Sequence, residues 1–170
     1  VAVGYRSLKT MNAGAEGYTT AIGLDTGTSI TTGVRNTLMG AFTGDALTDA
    51  DFNVAIGYAA LTGDTLGSKS TAIGYETLLV QNFTTATDSN NTAVGYRAGT
   101  AVTTGTYNTF IGSEAGEANT TGANNTAVGA LALESTTTGT NNVAVGQASL
   151  FENILGSKSI GVGRGTLQNQ

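Results

Sequence analysis

Apolar and small residues return at a fixed interval along this chain. When the sequence is aligned on one glycine per unit, seven of the nine steps are 17 residues, and the other two are 19 and 21. The aligned glycines are Gly4, Gly23, Gly40, Gly57, Gly74, Gly95, Gly112, Gly129, Gly146 and Gly163. Self-similarity at this period predicts a repeat protein in which each unit packs on its neighbours. Residues 1–170 are therefore interpreted as one repeat domain.

The residues before each aligned glycine alternate as they do in a strand. The third residue before it is always β-branched, and the residue directly before it is always aliphatic or Met, as in Thr71 and Ile73. Residues two apart share one face of a strand, and we expect this face to be the core. The glycine ends or kinks the strand. A 17-residue unit cannot bury a core alone, so the pattern predicts an all-β parallel β-roll or β-solenoid of ten rungs, roughly 45 Å long.

Two more columns carry structural predictions. Four residues before the glycine stand Asn, Ser or Thr, which can form a hydrogen-bonded ladder between rungs in register. Two residues before it, alanine predominates and no residue is charged. Because this column lies opposite the expected core face, close approach of the same column in a symmetry-related chain is the simplest explanation. A solenoid face that merely tolerates alanine is the alternative. The predicted interface residues are Ala2, Ala21, Ala55, Ala72, Ala93, Ala127 and Ala144.

The repeat motif resembles those of two families of extracellular fibres. The units Asn53–Tyr58, Asn91–Tyr96 and Asn125–Gly129 read Asn-x-Ala-(Ile/Val)-Gly. They resemble the Asn-Ser-Val-Ala-Ile-Gly repeat of trimeric autotransporter adhesin heads (YadA-like), and still more the Asn-Thr-Ala-Val-Gly-Tyr repeats of phage tail fibres. The resemblance covers essentially the whole chain, although the adhesin-head repeat is usually shorter than 17 residues. It implies a left-handed, homotrimeric β-roll, of which this sequence is expected to be a fragment, on a virion surface or a bacterial cell surface.

Composition narrows the possible functions. The chain has no His and no Cys, so nucleophile–base catalysis lacks its usual residues, and no enzyme activity or cofactor is predicted. Its net charge is −5 with only seven Lys and Arg, which argues against binding nucleic acid. No apolar run is long enough to span a bilayer, so membrane insertion is not predicted for these residues. The expected partners are other copies of the chain and a cell-surface glycan or protein receptor.

Few side chains are candidates for a binding site. Tyr58, Tyr75 and Tyr96 follow the aligned glycine in three successive rungs and predict an aromatic row. Such a row could stack on sugar rings or simply pack between rungs. The four-residue insertion between Tyr75 and Gly95 includes Phe83 and is the expected place for specificity, because insertions usually bulge on one face.

Carboxylates form the remaining candidates. Asp45, Asp49 and Asp51 supply oxygen atoms that suit Ca²⁺, but their spacing matches no calcium loop, so they are a weak metal candidate. The same residues, or Glu114 with Glu117, could form a glycosidase pair, although solvated surface residues are the simpler interpretation.

Three functions remain open from the sequence. A structural or adhesive module, the rod or receptor-contacting segment of a phage tail fibre, is the leading hypothesis. A bacterial adhesin head that binds host matrix or glycans is the second. An ice-binding β-solenoid is the third, and it is disfavoured by the expectation that the threonine column packs inward.

Overall fold

The computed structural model describes residues 1–12, 14 and 17–168, which wind into an all-β parallel solenoid of about nine turns. One ten-stranded parallel sheet takes one strand from each rung, and a second sheet has two strands. No helix in the described residues could cross a membrane. The large sheet comprises β1 (Ala2–Val3), β2 (Thr20–Ile22), β3 (Thr37–Met39), β4 (Val54–Ile56), β6 (Thr71–Ile73), β8 (Thr92–Val94), β9 (Thr109–Ile111), β10 (Thr126–Val128), β11 (Val143–Val145) and β12 (Ile160–Val162); the small sheet comprises β5 (Gly67–Ser68) and β7 (Thr87–Asp88).

Neighbouring strands pair so that residues at equivalent positions of the repeat lie opposite each other. Ala72 lies opposite Ala93 even though the four-residue insertion separates their rungs. The ladder continues beyond the strands: the Gly95 amide donates to the Ile73 carbonyl at 2.8 Å, and the Gly99 amide donates to the Ala115 carbonyl at 3.0 Å. The backbone is thus paired around the coil, and the predicted all-β parallel solenoid is confirmed.

The aligned glycine is required by the distance between rungs. Gly74 has a φ of 140°, and a Cβ placed there would overlap the carbonyl oxygen of Gly95 in the next rung. Both the positive φ and the close approach exclude a larger residue. The same arrangement recurs from Gly4 to Gly146, which explains why this column contains nothing but glycine.

The two faces of the ten-stranded sheet point in the directions opposite to those predicted. The alanine column faces the interior, whereas the β-branched and aliphatic columns face outward. Six of the seven predicted interface alanines are completely buried within the single chain and cannot contact a second one; they are Ala21, Ala55, Ala72, Ala93, Ala127 and Ala144. Ala2, in the first rung, is exposed. The interface assigned to this column is therefore wrong. The alanine column is small because the coil is narrow.

Side-chain volumes inside the coil compensate each other. In four rungs whose inward strand residue is Ala, as at Ala127, the fourth residue after the aligned glycine is a buried Leu, here Leu133. Where the strand residue is large, as at Phe110, the fourth residue is Gly116, and a Cβ there would lie 2.5 Å from the phenyl ring. Leu38 and Gly44 repeat this exchange. A large strand residue also fills space in the rung before it: a Cβ at Gly99, in the rung of Ala93, would lie 2.9 Å from the Phe110 ring. Gly27, in the rung of Ala21, lies against Leu38 in the same way.

The predicted asparagine ladder is present and binds backbone groups. The Asn108 amide Nδ2 donates to the Gly122 carbonyl at 2.8 Å, and its Oδ1 accepts from the Asn125 N–H at 3.0 Å. Asn91 and Asn125 make the equivalent bonds to their neighbours. All three side chains are buried, so the ladder satisfies polar backbone groups that the interior would otherwise leave unpaired.

Candidate functional site

The outward side of the ten-stranded sheet forms a long, uncharged surface. We call it the outer sheet face; it consists of the first and third residues of each strand triplet, such as Thr92 and Val94. Every rung contributes a Thr, Val or Ile followed by a Val, Ile or Met, and none contributes a charge. Met39 and Ile111 are among its exposed members. A contiguous apolar surface of this length usually marks an interaction site.

The threonines of the outer sheet face are in register along the coil axis. Thr71 pairs with Thr92, Thr92 pairs with Thr109, and Thr109 pairs with Thr126. All four are partly exposed on the outward side of the sheet. The prediction that the threonine column packs inward is therefore wrong, and with it the argument that disfavoured ice binding.

The predicted aromatic row forms at the edge of the outer sheet face. We call it the tyrosine ladder; its members are Tyr58, Tyr75 and Tyr96. Successive rings stack with centroids 5.4 Å apart and planes 12° apart. Both faces of Tyr75 are therefore covered by its neighbours, so the row is a packing ladder at its centre. Phe42 and Tyr58 make a T-shaped contact, with ring centroids 5.8 Å apart.

Charged side chains run beside the tyrosine ladder. A hydrogen bond between Tyr75 and Glu76 raises the pKa of the tyrosine hydroxyl and keeps it protonated. The Arg97 guanidinium contacts Glu117 at 2.8 Å and Glu76 at 3.8 Å. Burial raises the pKa of Glu117, and Arg97 opposes that effect. Charged side chains, mainly carboxylates, thus accompany the ladder.

The insertion is held by a buried polar network that sequence analysis missed. Asp64 is fully buried; its Oδ2 accepts from Gln81 Nε2 at 2.6 Å, and its Oδ1 accepts from the amides of Gly67 and Phe83. Gln81 Oε1 accepts in turn from Asn91. Burial raises the pKa of Asp64 despite these bonds. The available signal was a polar residue at Asp64 where the preceding rungs carry the buried Ile30 and Leu47.

Phe83 lies inside this region and is not available to a ligand. Its side chain is buried, and a Cβ at Gly67 would lie 2.8 Å from the phenyl ring. The proposed ligand role of Phe83 is therefore wrong, because the apolar side chain fills the space that the insertion opens. The exposed residues of this region are Asn82, the segment 84–86 and Asp88.

The aspartates proposed as a weak metal candidate do not form a ligand set. Asp49 accepts a hydrogen bond from Thr32, and Asp51 accepts one from the Val34 amide, both at 2.7 Å. Burial raises the pKa of Asp45, with a smaller contribution from the Asp25 carboxylate. Over the described part of the chain, no three potential ligand side chains are grouped to hold a metal ion.

Comparisons with protein-family models, with curated proteins and with solved structures gave no match. The outer sheet face and the tyrosine ladder are therefore interpreted from their own chemistry.

Proposed function

We propose that this chain is a structural and adhesive module of an extracellular fibre, and that its copies associate through the outer sheet face. The observation that carries the proposal is the uncharged Thr-and-aliphatic surface on ten successive rungs, including exposed members such as Met39 and Ile111. Water is a poor solvent for this surface, and covering it with a second apolar surface is favourable.

Another copy of the same chain is the partner that fits this face best. Its rows of side chains repeat at the spacing of parallel strands, about 4.8 Å, so two identical faces match rung for rung. Self-complementary packing of this kind is typical of symmetric oligomers. The proposed interface thus moves from the alanine column to the neighbouring columns of the same strands, such as Thr92 and Val94. The resemblance to trimeric fibres supports three chains and a left-handed coil.

The proposed setting is the surface of a virion or of a bacterial cell. As in the families it resembles, the module would be the rod or the receptor-contacting segment of a phage tail fibre, or alternatively an adhesin head. Continuous backbone pairing between rungs gives such a rod its stiffness. Several copies in one fibre would turn weak contacts with a glycan or protein receptor into strong attachment. The proposal includes no catalysis, cofactor or nucleic acid.

The absolute mass of the chain in solution tests this proposal. Light scattering on a sizing column should give about three times the chain mass of 17.0 kDa. Val94→Glu, which places a charge on the outer sheet face, should reduce the mass to that of one chain. Thr138→Glu places the same charge at an exposed position outside the sheet and should leave the oligomer intact. A wild-type mass of 17.0 kDa at every concentration would contradict the proposal.

Ice binding is the second candidate, because the threonine column points outward in register. Rows of threonine methyl and hydroxyl groups on a flat, rigid sheet could order water into a lattice. This function needs the outer sheet face to be open, so it predicts a monomer with thermal hysteresis that Thr92→Lys lowers. An oligomer without thermal hysteresis would leave the fibre proposal as the better explanation.

A further inference from the structure

The tyrosine ladder has one closed end and one open end. At the closed end, the Phe42 and Tyr58 rings make a T-shaped contact, with the two planes at 82°. At the other end, the column continues from Tyr96 to Ser113 and then to Ala130. Among the described residues, Tyr75 is the aromatic ring that stacks on Tyr96, and Tyr96 is 49% exposed. One face of the Tyr96 ring therefore opens over a strip of small side chains.

Residues with hydrogen-bonding side chains follow Tyr96 in its own rung and in the next. Arg97 follows Tyr96 directly, and its guanidinium is held by Glu117 at 2.8 Å. Ser113 and Glu114 lie one rung further along, where Ser113 is exposed and Glu114 is partly exposed. The Ser113 hydroxyl and the Glu114 carboxylate thus lie one rung beyond the ring, and the ion-paired Arg97 guanidinium belongs to the next residue in the chain. Carboxylates outnumber the single guanidinium here, since Glu114 and Glu134 both act on Glu117.

We infer that this open end, formed by Tyr96, Ser113, Glu114 and Arg97, is a contact site for a neutral or amino-bearing pyranose at the end of a surface glycan. The inference deepens the proposed function, on which it rests for its biological setting, by naming the class of receptor. The C–H face of a pyranose is apolar and fits the exposed tyrosine ring, which is the geometry that aromatic side chains favour for flat apolar groups. Its hydroxyl groups suit the carboxylates and the guanidinium as charge-assisted partners.

Charge decides which sugars the site takes. The local excess of carboxylates and the net charge of −5 produce a negative potential. A negative potential repels uronic and sialic acids and attracts an amino group. The ladder behind the ring holds Tyr96 in place, because Tyr75 stacks on its other face at 5.4 Å. A ring that is already ordered loses little conformational freedom when a ligand binds.

The test is saturation-transfer NMR of the purified chain with methyl glycosides of glucose, galactose, mannose, glucosamine and glucuronic acid. We expect binding of at least one neutral or amino sugar and none of glucuronic acid. Tyr96→Ala should weaken that binding at least tenfold, and Tyr96→Phe should retain it, because the phenyl ring keeps the open face. Tyr5→Ala removes an exposed tyrosine from the same column outside the ladder and should leave the affinity unchanged. Circular dichroism checks that each variant is folded.

Three results would overturn the inference: no binding of any neutral or amino sugar, equal binding by Tyr96→Ala, or a preference for glucuronic acid. The outcomes that would refute the fibre proposal are distinct from these. Every group of the site belongs to one chain, so a 17.0 kDa monomer that binds the sugar would refute the fibre and keep the site. An oligomer that binds none of the sugars would refute the site and keep the fibre.

Discussion

The inward and outward sides of the ten-stranded sheet follow opposite rules. The inward column is small, and its members Ala93 and Ala127 are completely buried. The outward columns carry larger side chains, threonine or aliphatic, and Met39 and Ile111 are exposed. In a globular domain the larger apolar residues would be inside. In this coil the inward strand position shares the interior with residues of the turns, such as Leu133, so most inward strand residues are small although they are buried.

A charge placed on either side should show the largest difference. Ala93→Glu introduces a carboxylate and a longer side chain at a fully buried position, and should lower the free energy of unfolding by about 5 kcal/mol. Val94→Glu, the adjacent outward residue, should change the stability of the monomer by about 0.5 kcal/mol or less. Urea denaturation of both variants under monomeric conditions measures the difference. Equal losses would show that the two sides are not distinct.

Substitutions that exchange side-chain volume between two inward positions test how the interior of the coil is filled. Phe110→Ala should cost about 3–5 kcal/mol, because the cavity is enclosed on all sides. Gly116→Leu alone should also destabilise, since its Cβ would lie 2.5 Å from the phenyl ring. The double variant recreates the Ala-and-Leu filling of the rung at Ala127 and Leu133, and should recover about 1–2 kcal/mol of the loss. Strictly additive losses would contradict the packing rule.

The asparagine ladder should be the next most sensitive element. Asn108→Ala leaves the Gly122 carbonyl and the Asn125 amide without their buried partners, which should cost about 2–3 kcal/mol. Asn124→Ala removes the exposed asparagine that directly precedes Asn125. It should cost about 1 kcal/mol or less, including the penalty for placing alanine at a φ of 58°. Thermal denaturation of the two variants measures the contrast. A similar fall in Tm for both would refute the role assigned to the ladder.

The smallest effect is the pH dependence of stability. Burial raises the pKa of Asp64, so the folded state binds this proton more tightly than the unfolded state does. The resulting stability is fully present below the unfolded pKa, near 3.8, and is lost as the pH rises through the folded value. Unfolding free energy should therefore increase as the pH falls from about 7 towards about 4. Asp45 and Glu117 act in the same direction, since burial raises their pKa values as well.

Asp64→Asn isolates that contribution because asparagine does not titrate. The variant weakens the charge-assisted bond from Gln81 and should be less stable overall, but its stability should also vary less with pH. Urea midpoints between about pH 4 and pH 7 give both slopes. Identical slopes for the two proteins would contradict a raised pKa at Asp64.

The repeat made most of the fold predictable. The 17-residue period, interrupted by two insertions, the β-branched alternation and the aligned glycine together predicted parallel strands in register, and the asparagine column predicted a ladder. The direction in which each strand faces was not predictable from alternation, because a period of two is unchanged when its two faces are exchanged. The missing information was the size rule that pairs Phe110 with Gly116, which relates positions on different segments of the rung.

The candidate sites were less predictable, for physical reasons specific to each. The tyrosine ladder was predicted because one residue type repeats in one column. Phe83 was misassigned because an insertion can fold inward as well as outward. Asp64 was overlooked because its column, seven residues after the aligned glycine, mixes apolar residues such as Leu47 with polar ones and shows no regular pattern. The difference between the two ends of the tyrosine ladder was not predictable from the sequence, because it depends on how the rings stack in three dimensions.

The account depends most on which side of the sheet each column faces. Because the chain contains no cysteine, Ala93→Cys and Val94→Cys each introduce a single thiol, one inward and one outward. Their rates of reaction with a maleimide, measured on dilute samples in which the chain has its monomeric mass of 17.0 kDa, test the assignment directly. The thiol introduced by Val94→Cys should react at the rate of a free thiol, whereas the thiol introduced by Ala93→Cys should react only as fast as the rung opens. The reverse order would contradict the account and restore the alanine column as an exposed surface.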